Sequence, residues 1–382
     1  MNRARLQQIF TNYIKKFEII NSPKCDENYK WRVASKFREL MNPEHPDFAE
    51  RIKEAGKVSA NLIDSSNRYC FSSLINCASI EPESVRALFK ELFSDDGGDL
   101  TVRQNKILKF IEEANTLTRR LVSSNGMFMN DQRSAMGYLF LYDPDQHYLY
   151  KASEATDFAS CIEFYGDWGP GTAFRLDVYY RMCDMLVEEI RKCEALKETH
   201  ASRYRDKNGN PILDMHPDKN YHILAFDIIY GAPEFRYNFY SGITFSTITS
   251  QARKLHQDRV TKARLRQEAL SVAKAKSERF AEAKAYFSSV LVTGVTVKHK
   301  LFGTGKILST DEKSITVTFF QNGDTKKLDS MFSLANGCLT ADIADITGKI
   351  ALYREVIMEE RNIENALIRA QAEFDEYKEF LE

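Results

Sequence analysis

Apolar side chains recur at three- and four-residue intervals through roughly the first 130 residues. The stretches RLQQIFTNYIKKFEII, ENYKWRVASKFRELM, DFAERIKEAGKVSANLI, EPESVRALFKELF and TVRQNKILKFIEEANTLTRRLV each keep that spacing, which predicts amphipathic helices. Pro23, Pro43, Pro46 and Pro82 fall between them, where breaks belong. Ser94–Thr101, SDDGGDLT, lacks the alternating acidic residues and closing Glu of a calcium loop, so it reads as a connection between helices. From Gly137 the pattern changes. GYLFLYD, HYLYKA, YHILAFDIIYG and FRYNFYSGI read as aromatic-rich strands, while EATDFASCIEF and RLDVYYRMCDMLVEEIRKCEALKETH read as helices. This predicts an α/β domain with a mixed sheet over residues 131–247.

The last third has a different grammar. Ile248–Leu291 contains no Pro or Gly and is rich in Ala, Lys, Arg, Glu and Gln, the composition of a long helix. Residues 292–340 alternate in strand fashion: VTVKH, a tight FGTG turn, KILST, SITVTFF, an Asn-Gly hairpin turn and TKKL. Four or five short strands in so few residues predict a small, strongly bent barrel. Helical spacing returns over 341–382, with seam positions Ile346, Ile350, Tyr353, Ile357, Ile363, Leu367, Ala370, Phe374, Tyr377 and Leu381, and one break near Glu360. The expected architecture is multidomain α+β. It comprises a helical domain (1–130), an α/β domain (131–247), and a helical hairpin (248–382) whose arms, 248–291 and 341–382, run antiparallel with the barrel inserted at the tip.

Charge sharpens the picture of the hairpin. The whole chain carries a net charge of −1, so any electrostatic partner has to be met by a local patch. Between Arg253 and Lys284 there are ten Lys or Arg against four Asp or Glu; from Asp342 to Glu382 there are eleven acidic residues against five basic. Arg253, Lys254, Arg259, Lys262, Arg264 and Arg266 are therefore candidates for a phosphate-tracking stripe. The competing expectation is that the acidic arm neutralises them, since antiparallel packing sets them near Glu373, Asp375, Glu376, Glu379 and Glu382. The seven cysteines form no CxxC pair, which fits reduced thiols in a cytoplasmic protein rather than a disulfide scaffold or zinc site. MNRARLQQIFTNYIKKFEII reads as an amphipathic helix rather than a signal peptide, and no stretch approaches a membrane span.

In VKHKLFGTGKI, ITVTFF, GDTKKL and MFSLANGCL, the β-module resembles the Tudor-like domain at the C-terminus of UvrD-type DNA helicases, a module that recurs in other bacterial proteins. The resemblance covers roughly 292–340 and implies a docking module for protein or nucleic acid. It does not imply a motor, since the chain has no GxxxxGK[ST] phosphate loop. Lys298, His299, Lys300, Phe302 and Lys306 are its candidate docking surface, with Phe319 as a further aromatic wall. The alternative for two of them is structural: Phe302 plugs the barrel and His299 satisfies a backbone carbonyl. Residues 137–240 bear a fainter similarity to accessory domains of bacterial restriction and phage-defence proteins.

Asp227, in a strand-like run, is the one candidate carboxylate for a metal-dependent nuclease, but the following EFRYNFY offers Glu234 and then Arg236 where such a site needs a lysine. His216 and His222 lack companion ligands, and YGDWGPG, Tyr165–Gly171, is either a binding loop anchored on Trp168 or a stiff turn. The expected function is a non-catalytic adaptor without cofactor or metal. It docks DNA or RNA, or a protein of a nucleic-acid-processing complex, in a bacterial antiviral-defence or repair setting. The alternatives are a nuclease with its site in 137–247, and a structural oligomer whose charged helices pair between chains.

Overall fold

A computed structural model describes residues 1–64 and 67–381, and it divides into two compact units, Met1–Arg253 and Lys254–Glu382. The first unit is helical. It contains α1 (Arg3–Ile20), α2 (Tyr29–Leu40), α3 (Phe48–Ser59), α4 (Cys70–Ile80), α5 (Pro82–Leu92) and α6 (Leu100–Leu121). It continues with α7 (Gln132–Tyr142), α8 (Ala152–Cys161), α9 (Leu176–Lys192), α10 (Glu194–Ser202) and α11 (His222–Gly231). Pro82 opens α5 at a position where its missing N–H costs nothing, and Asp99 and Asp131 cap α6 and α7 with their carboxylates. One apolar cluster runs from Leu6 to Tyr240.

The mixed sheet expected for 131–247 is not there. GYLFLYD lies inside α7 and YHILAFDIIYG forms α11. Both helices are buried nearly all round: every residue of Ser134–Leu141 is covered, and so is α11 from His222 to Ile229. A helix buried on all sides shows no polar stripe, so its sequence cannot be told from a buried strand by periodicity. HYLYKA is extended up to α8, but side chains satisfy its backbone: Tyr180 Oη accepts from the Tyr148 N–H, and Tyr179 Oη donates to the Leu149 carbonyl at 2.6 Å. FRYNFYSGI folds into successive turns, and Asn12 Nδ2 donates to the carbonyls of Phe239 and Ser241, both at 2.8 Å. The segment's turn-forming Asn238 has a left-handed φ of 53°.

α12 (Ser250–Val290) is the long basic helix; its first residues belong to the first unit and the rest to the second. The second unit continues with β1 (Thr296–His299), β2 (Gly303–Thr310), β3 (Ser314–Phe319), β4 (Thr325–Asp329), α13 (Ser330–Ala335), β5 (Leu339–Ala341), α14 (Ile346–Met358) and α15 (Glu360–Asp375). The strands form one curled antiparallel sheet in the order β4-β3-β2-β1-β5. It is a half-barrel with two edges, β4 and β5, rather than a closed barrel. Two glycines shape it. Gly303 takes a φ of 77° in the β1–β2 turn, and a Cβ on Gly305 would lie 2.6 Å from the Thr318 carbonyl oxygen.

The break near Glu360 separates α14 from α15. Contacts between α12 and the acidic arm run antiparallel: Arg279 donates to the Leu352 carbonyl, Lys276 Nζ lies 2.7 Å from Glu359, Arg266 pairs with Glu373, and Arg259 sits over the Phe380 ring. Ala283, Phe287, Tyr353, Val356 and Ile357 join Val297, Ile307, Val317 and Phe319 in this unit's core. Among the described residues, no helix is long and apolar enough to cross a membrane.

Candidate nucleic-acid interface

Strand alternation sorts the β-module's side chains onto two faces. Val297, Ile307, Ile315, Val317 and Phe319 point into the core. The opposite face is built from cross-strand pairs: Lys298 stands opposite Thr304 and Thr340, Lys306 opposite Thr296 and Thr318, Thr318 opposite Thr325, and Thr316 opposite Lys327. Lys298, Lys306 and the threonines at 296, 304, 325 and 340 are exposed. Lys327 is already committed, 2.8 Å from Asp311, and it holds that carboxyl well below the usual carboxylate range. Among the described residues, Lys298 and Lys306 have no carboxylate within salt-bridge distance.

The five expected docking residues do not share one surface. Lys298, Lys300 and Lys306 are exposed, whereas His299 is buried and Phe302 half-buried. The His299 ring stacks on Phe302, with centroids 4.7 Å apart and planes 17° apart, and meets Phe319 at 6.2 Å. His299 Nδ1 accepts the Leu301 N–H at 3.2 Å, so its partner is a backbone amide rather than the expected carbonyl, and Nε2 carries the proton. Phe302 packs against the half-barrel's core, its ring centroid 5.4 Å from that of Phe319, with Lys326 Nζ 5.7 Å from its own centroid. The threonines escaped the sequence reading, although a period-two polar pattern alternating with the core positions was the signal available.

The six-residue stripe on α12 is also divided. Arg253 belongs to the first unit, where it donates to the Gly166 carbonyl and lies 3.7 Å from Asp167. Arg259, Lys262 and Arg266, at helical spacing, face the acidic arm: Arg259 is 5.2 Å from the Phe380 centroid, Lys262 6.0 Å from that of Tyr377, and Arg266 meets Glu373. Lys254 and Arg264 remain exposed and, among the described residues, unpaired with any carboxylate. Among the described residues, two of the six are thus paired with a carboxylate, two lie over rings of the acidic arm, and two, Lys254 and Arg264, meet neither.

Asp227 lies on a helix and not on a strand. Its Oδ2 accepts the Tyr13 hydroxyl at 2.7 Å, its Oδ1 is bound by the Lys30 ammonium, and the Arg203 guanidinium lies 3.7 Å away. Tyr13, Lys30, Arg203 and Asp227 are all buried. A carboxylate whose two oxygens are both taken by buried donors anchors helices; it has no lone pair directed at solvent for a metal or a water. No three His, Cys, Asp or Glu side chains among the described residues converge as a metal-binding group would. Trp168 is a core residue, donating from Nε1 to Tyr150 Oη at 3.1 Å. His222 Nδ1 lies 3.1 Å from the His147 carbonyl, and His216 Nδ1 accepts the Asp218 N–H. Comparison with known proteins finds no family model, no curated sequence and no solved structure that matches the chain.

Proposed function

We propose that this protein is a non-catalytic binding protein that docks the phosphate backbone of a nucleic acid on the outward face of its half-barrel. The observation that carries the reading is the pair Lys298 and Lys306, free of carboxylates and flanked across the strands by Thr296, Thr304, Thr318 and Thr340. Ammonium groups and hydroxyls are the side chains that contact phosphate oxygens without reading sequence. The resemblance of residues 292–340 to a Tudor-like docking module points the same way, towards a role within a bacterial defence or repair assembly. Phosphate contacts from two lysines set the salt response: log K should fall with log salt at a slope of about −1.8 on duplex DNA.

Fluorescence anisotropy of labelled single- and double-stranded DNA and RNA, at two salt concentrations with Mg²⁺ present, tests the reading. Salt-sensitive binding that Lys298→Ala and Lys306→Ala together abolish, with the nucleic acid intact on a gel, supports it. Binding indifferent to both substitutions refutes it, and cleavage by the intact chain moves the function to the enzyme class. A second reading has its own observation. Leu301, in the turn after β1, is 81% exposed and Phe320, just after β3, 63%, exposed apolar side chains suited to a protein partner of a nucleic-acid-processing complex. That partner would still bind the lysine variants and lose affinity for Phe320→Ala.

A further inference from the structure

In the first unit a cavity of about 700 Å³ opens beside α2. Tyr29, Arg32, Val33 and Lys36 line it from one face of that helix, at three- and four-residue spacing. Tyr230, at the end of α11, and Arg236 stand on another side, and Glu27 contributes at the floor. The volume lies within the range of about 300–1,000 Å³ typical of small-molecule sites.

The charges in the lining do not cancel. Arg32 is neutralised locally, its guanidinium 2.6 Å from Asp26. Glu27 is neutralised from beneath by the buried Lys30, 2.7 Å from its Oε2, and its Oε1 accepts the Tyr237 hydroxyl. Lys36 and Arg236 are exposed and, among the described residues, meet no carboxylate within salt-bridge distance. Arg236 is also positioned, with its guanidinium 4.3 Å from the centroid of the Tyr230 ring. Two cations therefore await an anion beside two tyrosines.

Glu27, already satisfied by the Lys30 ammonium and the Tyr237 hydroxyl, adds no net charge to the lining. The occupant thus needs an anionic group and a planar body that packs on tyrosine.

We propose that this cavity is a mononucleotide site. Lys36 and Arg236 bind the phosphate, and Tyr29 and Tyr230 flank the base. The proposal is independent of the nucleic-acid reading of the half-barrel, because no residue is shared between them.

The test is isothermal titration of the full-length protein with AMP, GMP and UMP, with adenosine and inorganic phosphate as separate arms. At least one mononucleotide should bind, at least about tenfold tighter than either fragment of it. Lys36→Ala and Arg236→Ala should each weaken that binding about tenfold while leaving the melting temperature of the free protein unchanged, as expected for exposed side chains. Three results overturn the proposal: no binding by any mononucleotide, affinity unchanged in both variants, or inorganic phosphate alone binding as tightly as the nucleotide.

Discussion

Lys30 is completely buried, held by the carboxylates of Glu27 and Asp227 and lying 5.4 Å and 4.9 Å from the ring centroids of Phe226 and Tyr230. Arg203 extends the network. It donates to Asn21, Asn28 and Tyr13, and stacks on Trp31 at 3.6 Å. Asp227→Ala removes one of Lys30's two counter-ions and the acceptor of the Tyr13 hydroxyl. Stranding buried polar groups in this way should cost about 3–5 kcal/mol in urea unfolding followed by tryptophan emission. A loss below about 1 kcal/mol would mean that Asp227 is not the anchor its geometry describes. The same variant should leave nucleic-acid binding at wild-type strength, which a catalytic or ligand-holding Asp227 would not. Asp227 was conspicuous in the sequence, but its partners come from α1, α2 and the end of α10, far away along the chain. Gly305 is the opposite case, since FGTG announces a turn with crowded glycines. Gly305→Ala drives its Cβ to 2.6 Å from the Thr318 oxygen and 2.8 Å from the Phe319 and Val317 side chains, so it should destabilise the half-barrel by about 1–3 kcal/mol in thermal melts.

At the level of elements, legibility followed solvent exposure. The amphipathic helices of the first 130 residues, the long basic helix and the alternating strands of the β-module each have one wet face, and the wet face writes the period into the sequence. α7 and α11 have no wet face, and their runs of Phe, Tyr, Leu and Ile read as strands. The stripe on α12 was legible only in part for a related reason: charge composition shows that cations are present but not which way they point. Arg259, Lys262 and Arg266 turn towards the acidic arm, while Lys254 and Arg264 do not. The arms differ in what holds them. Their ion pairs are half-exposed, as with Lys276 and Glu359, and each should contribute no more than about 1 kcal/mol. Phe287 and Ile357 are buried in the core instead. Phe287→Ala should therefore cost about 3–5 kcal/mol. Arg266→Ala should stay within about 1 kcal/mol, both measured by urea unfolding at the helical circular-dichroism band. Equal losses would show that charge, not burial, joins α12 to α14 and α15.

Among the described residues the two apolar cores share none, and three of the four buried histidines, His147, His200 and His222, fall in the first unit. Burial pushes His147 down to about 3, with the Arg103 charge adding to it; burial and Arg203 take His200 to about 3, and burial takes His222 to about 4. Asp218 moves the other way. Burial raises it to about 7, although the amides of Ile223 and Leu224 donate to its carboxylate. The signs oppose each other. A histidine depressed in the fold gives stability that is present above its unfolded value and lost as pH falls, because the unfolded chain takes up the proton first. A carboxyl raised in the fold gives stability present at low pH and lost as pH rises towards 7. Between pH 6.5 and 5 the unfolded chain gains protons on three histidines, while the folded chain keeps about one extra on Asp218. The histidines win by one to two protons, so the first unit should lose roughly 2 kcal/mol for each unit of pH in that window. Both tryptophans, Trp31 and Trp168, lie in Met1–Arg253, so their emission reports this unit and no other. Urea titrations followed by tryptophan emission at pH 6.5, 5.75 and 5 should show the midpoint falling steadily. A midpoint that stays level or rises would mean that Asp218 outweighs the histidines, or that the three rings are not held neutral in the fold. His200→Gln separates those outcomes. It removes one of the three titrating rings while Asp218 stays, so it takes away about half of the net proton difference and should flatten the pH dependence by about half, whatever it does to stability at pH 6.5.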